Sequence, residues 1–131
     1  MPDSPALRLQ PLRVPAGWRI DWNALYPLEP TPENAAHFGG STHFSATHES
    51  RRFWIDIAWR PEFDPAGEYH LRIEYQPWSR TPAGRRRHDV PLRFDAEARL
   101  MHEFRTREFG ALVQELEHWL WKCSEWTVEG N

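Results

Sequence analysis

The chain has little that dictates a compartment or a cofactor. Cys123 is the one cysteine among 131 residues. No intrachain disulfide can form, and a reducing compartment is compatible with that. No stretch approaches the ~20 consecutive apolar residues of a membrane span. The start, Met1-Pro2-Asp3-Ser4-Pro5, lacks the basic-then-apolar order of a signal peptide. A cytoplasmic protein without a membrane segment is therefore expected. Charge of one sign is also scarce. Sixteen basic residues against nineteen acidic ones leave a net charge of −3, which exerts no general pull on nucleic acid or anionic lipid.

Motifs of chemistry are equally sparse. There is no phosphate-cradling glycine loop. Ser41, Ser45 and Ser50 lie near His43 and His48, but no glycine-framed elbow surrounds them. His37, His43 and His48 fit no zinc spacing and have no cysteine partners nearby. Glu62, Asp64, Asp56 and Glu74 read as solvated charges rather than a catalytic pair. No cofactor, no metal and no catalytic residue are expected. The run Arg85-Arg86-Arg87 is short and set in an acidic chain, so it reads as a solvated loop and not as a nucleic-acid patch.

What is present is aromatic and proline-rich. Eight Trp in this length can anchor a core or an interface. Twelve Pro favour short strands and rigid loops over long helices. The clearest strand is Arg51–Trp59, where Phe53, Ile55, Ile57 and Trp59 alternate with Trp54, Asp56 and Ala58. Tyr69–Tyr75 alternates in the same way, with Tyr69, Leu71, Ile73 and Tyr75 opposed to His70, Arg72 and Glu74. The loop between them makes the pair a hairpin. Trp18–Tyr26 alternates partly, with Trp18, Ile20 and Trp22 expected on one face. Weaker strand candidates are Leu7–Val14, Val90–Phe94 and Arg99–Arg105, and Thr31–Phe38 has room for one helical turn. Residues 1–6 read as a frayed start, 39–41 as a flexible joint and 77–89 as a mobile loop.

The last element is a helix. Phe109, Leu112, Val113, Leu116, Trp119, Leu120 and Cys123 recur at spacings of three and four, which places them on one stripe. Thr106 is the expected N-cap, with Glu108 in the first turn where the helix dipole favours an acid. Cys123 on that stripe reads as a packing residue. The expected fold class is α+β, a single domain over residues 1–131. It has an antiparallel sheet of about four to six strands and one C-terminal amphipathic helix packed on one face.

One helix covers one face of a sheet. The reverse face then meets solvent and carries, by alternation, Trp54, Asp56, His70, Arg72 and Glu74, with His102 expected nearby. A mixed-charge surface with an embedded tryptophan suits recognition of another protein.

Three segments in order carry a family resemblance. The first is Leu12-Arg13-Val14-Pro15-Ala16-Gly17-Trp18-Arg19-Ile20, continuing to Asn23 and Leu28-Glu29-Pro30. The second is Asp56-Ile57-Ala58-Trp59-Arg60-Pro61-Glu62, continuing through Asp64-Pro65-Ala66-Gly67-Glu68-Tyr69. The third is His102-Glu103-Phe104-Arg105-Thr106-Arg107, leading into the acidic helix. Together they resemble small bacterial immunity proteins encoded beside polymorphic toxins of the Rhs, WapA and contact-dependent inhibition types. The segment between Trp78 and Leu100 is longer in this chain. The resemblance implies a cytoplasmic, non-catalytic protein whose partner is a cognate toxin domain, bound and neutralised. The alternatives are a small enzyme with a His- and carboxylate-lined cleft, or a general protein-binding adaptor.

Overall fold

A computed structural model describes residues 8–39 and 42–128. Five strands, β1 (Trp18–Asn23), β2 (Phe44–His48), β3 (Phe53–Arg60), β4 (Glu68–Tyr75) and β5 (Arg99–Thr106), are followed by one helix, α1 (Phe109–Glu125). The sheet is an antiparallel meander in sequence order, β1-β2-β3-β4-β5. A 3₁₀ helix at Pro32–Phe38 lies in the β1–β2 connection. This is the expected α+β class.

β-Branched and aromatic side chains set the middle of the sheet. Phe53, Ile55, Ile57 and Trp59 of β3, and Tyr69, Leu71, Ile73 and Tyr75 of β4, are all buried. They sit opposite one another in register, with Phe53 against Tyr75, Ile55 against Ile73, Ile57 against Leu71 and Trp59 against Tyr69. Onto this face α1 lays Leu112, Leu116, Trp119, Leu120 and Cys123, each buried. Each large side chain contributes roughly 1.5–3 kcal/mol by leaving water, an upper figure because the unfolded chain is not fully extended. Phe109 meets Tyr69 at one end (ring centroids 6.1 Å apart) and Trp126 stacks on Phe53 at the other (5.3 Å). The 3₁₀ helix adds Phe38 against Trp59 (4.4 Å). The segment from Arg8 to Gly17 runs beside α1, with Arg13 N donating to Glu117 Oε2 at 2.6 Å. The Trp18 indole N–H donates to the Leu120 carbonyl at 2.8 Å.

Several local expectations are corrected. Arg8–Val14 is not a strand, as Pro11 and Pro15 already discouraged; Leu7 lies outside the described residues, as do residues 1–6, Gly40 and Ser41. Val90–Phe94 is not a strand either. Pro91 lacks a ladder donor, and the Gln76 side chain closes the segment by bonding Asp95 at both Oδ1 (2.9 Å) and N (3.1 Å). The segment 77–89 is a loop that folds back on itself. Thr81 N donates to Arg85 O, Gly84 N to Thr81 O and Arg87 N to Ser79 O, each at 2.8 Å. The helix starts at Phe109 with Glu108 in the cap position and no side-chain cap bond. Thr106 remains in β5, paired with Tyr69, and its hydroxyl accepts from Glu108 N at 3.0 Å.

Candidate functional site

The face of the sheet away from α1 is a lattice of polar side chains, and the strand register orders it into rows. Trp22, Ser45, Asp56, Arg72 and Glu103 are successive cross-strand partners from β1 to β5. Arg19, Thr47, Trp54, Glu74 and Leu100 form a second row. Ala58, His70 and Arg105 begin a third. Five of the six residues expected on this face, Trp54, Asp56, His70, Arg72 and Glu74, are on it.

His102 is not. It pairs with Ile73, whose side chain is in the core, so it points to the helix side. There its ring stacks on Trp119 (centroids 4.3 Å apart) and its Nε2 lies 2.8 Å from Glu115 Oε1. The same Glu115 oxygen accepts from the Trp119 indole at 2.9 Å. Alternation in step with the even-numbered residues of β4 would place His102 on the open face. The irregularity between Ile73 and Glu74 breaks that parity.

Charges alternate in sign along the rows. Arg72 lies 3.7 Å from Glu74 and 3.7 Å from Glu103. Arg19 is bonded to Asp21 (2.7 Å) and Glu49 (2.9 Å), and Asp21 accepts from the Thr47 hydroxyl at 2.7 Å. These pairs are solvent-exposed and stabilise the fold little; their worth lies in the pattern they present. Asp56 is half-buried. Burial pushes its carboxyl up to about 6, Glu74 adds to that, and the Thr42 hydroxyl, Arg60 and Arg72 pull the other way. Thr42 Oγ1 lies 3.4 Å from Asp56 Oδ1. His70 is lowered by burial first and then by Arg105, so its 3.6 Å approach to Glu68 is not an ion pair at neutral pH.

Trp54 is partly shielded. Its indole donates to Ser45 Oγ at 2.7 Å, and Phe94 from the β4–β5 connection meets its ring at 6.0 Å. The chain thus covers one corner of the lattice. Thr47 and Ala58 are also buried on this face, whereas Arg72 and Glu103 are open, 49% and 46% exposed at their side chains.

Two features went unread in the residues. The first is β2, which supplies Ser45 and Thr47 to the lattice; Phe44-Ser45-Ala46-Thr47-His48 does alternate, but its polar members masked the period. The second is a recess where β1 leaves the sheet, with a volume of about 450 Å³, lined by Trp22, Ala24, Ala36, His37, Gly39, Thr42 and His43. A bulge between Ile20 and Trp22 turns Trp22 onto the open face. Trp18, Ile20 and Trp22 therefore do not share one side as their spacing predicts. His37 and His43 meet edge to face at 5.0 Å. His43 is almost fully buried among Phe38 and Tyr69, and burial together with His37 lowers it to about 4. Among the described residues no group of three or more metal-ligating side chains is gathered anywhere.

Cys123 is buried, and burial pushes its thiol up to about 12, as befits a packing residue. Arg86 of the basic run lies over the Trp78 ring at 5.2 Å, and Arg87 is bonded to Asp89 at 3.1 Å. Among the described residues no helix is long and apolar enough to cross a membrane. No family model, no curated protein and no solved structure matches the chain.

Proposed function

We propose that this chain is a non-catalytic protein-binding module of the immunity type, which captures a cognate bacterial toxin domain on its open sheet face in the cytoplasm. One observation carries the reading: α1 and the 3₁₀ segment bury one side of a rigid five-stranded sheet, and the other side presents alternating charges around Trp54 and Trp22. Such a lattice gives register and rapid, specific encounter, while the half-buried Trp54 and the exposed Trp22 supply anchors. The ordered resemblance to immunity proteins points the same way.

The test is neutralisation of a toxin domain encoded beside this chain, measured as rescue of poisoned cells and as affinity in vitro. Arg72→Glu removes the cation between Glu74 and Glu103 and is expected to weaken capture by at least about tenfold. Unchanged capture by Arg72→Glu and by Glu74→Arg together would remove the open face from the interface.

A second reading, acid–base catalysis, is favoured by a single feature: Asp56, raised to about 6, is joined through Thr42 to a recess lined by two histidines. Raised carboxylates next to a recess are a recurrent mark of such sites. Asp56→Asn separates the two readings, because it abolishes a catalytic activity while leaving stoichiometric capture of the toxin measurable.

A further inference from the structure

Each tryptophan of this chain but one has a partner. Trp18, Trp54, Trp59 and Trp119 donate hydrogen bonds. Trp78 carries Arg52 over its ring at 4.3 Å, Lys122 sits over both Trp119 and Trp126, and Arg107 over Trp59. Trp121 has a ring contact with His118. Trp22 has no hydrogen bond, ring contact or cation among the described residues, and it is 57% exposed. The fold repeatedly sets its own arginines and lysines on indole faces, yet leaves this indole bare at the mouth of a recess.

Among the described residues no lysine or arginine lines the recess itself; Arg60 and Arg72 act on Asp56 beside it. Burial lowers both His37 and His43, so they add no positive charge to the recess at neutral pH. Nε2 of His37 and both ring nitrogens of His43 are buried without a hydrogen-bond partner among the described residues, so these atoms back the recess and do not themselves meet a ligand in it. Thr42 on the recess wall leads to the Asp56 carboxylate. Trp22 and Asp56 stand in one row with Ser45 between them, roughly 10 Å apart at two strand spacings. An aromatic face and a carboxylate at that separation describe the receptor of a planar cation rich in N–H groups.

We propose that this recess is the subsite for an arginine side chain of the bound partner, with its guanidinium against the Trp22 indole and directed toward Thr42 and Asp56. The subsite rests on the reading of the open face as a recognition surface, and deepens it by naming the partner's chemistry. Guanidinium supplies five donors and no acceptor, and it stacks on indole more readily than ammonium does.

The experiment titrates the full chain with N-acetyl-arginine amide at about pH 7.5, where Asp56 is ionised, and follows the indole N–H resonances by NMR. N-acetyl-citrulline amide, the uncharged isostere, is the comparison. Trp121, also exposed, is the internal control for non-specific stacking. The Trp22 resonance is expected to shift saturably with the arginine probe and to respond about tenfold more weakly to citrulline, in line with a cation–π contact. Asp56→Asn, which keeps the core untouched, should lose the arginine response. Equal responses to the two probes, or equal shifts at Trp121 and Trp22, overturn the subsite. Toxin capture separates the two levels. If Arg72→Glu weakens capture while Trp22→Ala does not and the titration is silent, the subsite is wrong and the recognition face stands. If none of the open-face variants alters capture, both fall.

Discussion

Two side chains on either side of Thr42 respond to pH in opposite senses. His43 follows Thr42 in the chain, and Asp56 meets its hydroxyl. The ordinary value of histidine is 6.5, and burial lowers His43 to about 4. Between these values the unfolded chain takes up a proton at this residue and the folded chain does not. The stability lost through His43 is therefore nil above about pH 6.5 and grows as the pH falls. At 1.36 kcal/mol for each tenfold change in proton affinity, it reaches about 3 kcal/mol below pH 4. Asp56 runs the other way. Its carboxyl is raised from 3.8 to about 6, so in that window the folded chain holds the proton. Its stabilisation is complete below pH 3.8 and is lost as the pH rises through 6, by about 2–3 kcal/mol for a half-buried group. In the native chain the two nearly cancel; single variants separate them. His43→Phe keeps a ring against Phe38 and Tyr69, and Asp56→Asn keeps an acceptor for Thr42. Urea unfolding followed by tryptophan fluorescence, at about pH 4.5, 5.5 and 7.5, reads the difference from the native chain. Relative to His43→Phe, the native chain should gain stability as pH rises. Relative to Asp56→Asn, it should lose stability over the same interval. A difference that is constant with pH, or of reversed sign, would refute the burial argument for that residue.

Other consequences are simpler. Leu116→Ala hollows the contact between α1 and the sheet and should cost about 2–5 kcal/mol by denaturant titration. Gly17 has φ +102°, and a Cβ there would collide with the His48 ring, so Gly17→Ala should lower Tm through both strain and displacement of His48. Arg52→Met leaves the Gln76 carbonyl, which accepts from Arg52 Nε at 2.7 Å, without its buried donor; a loss of about 1–3 kcal/mol is expected in the same titration. His102→Ala should cost about 1 kcal/mol of stability through its Glu115 bond and leave toxin capture unchanged, since the residue faces α1.

The residues alone determined the class of this fold. Strict alternation in β3 and β4 and the three-and-four spacing of α1 each state, from local geometry, which side of the element is apolar. Two such elements of different period must bury those sides together, which leaves the reverse of the sheet polar. Hence Trp54, Asp56, His70, Arg72 and Glu74 were legible as one surface. Tertiary structure decided what crosses between elements. A bulge in β1 and an irregularity between β4 and β5 change the parity of a strand relative to its neighbour, and these sent Trp22 onto the open face and His102 under the helix. β2 is stabilised by partners on both sides more than by its own composition, so Ser45 and Thr47 entered the lattice unannounced. The recess joins residues from the end of β1, the 3₁₀ helix and the segment leading into β2. No spacing along the chain encodes that meeting, because it follows from how three packed pieces end at the same edge.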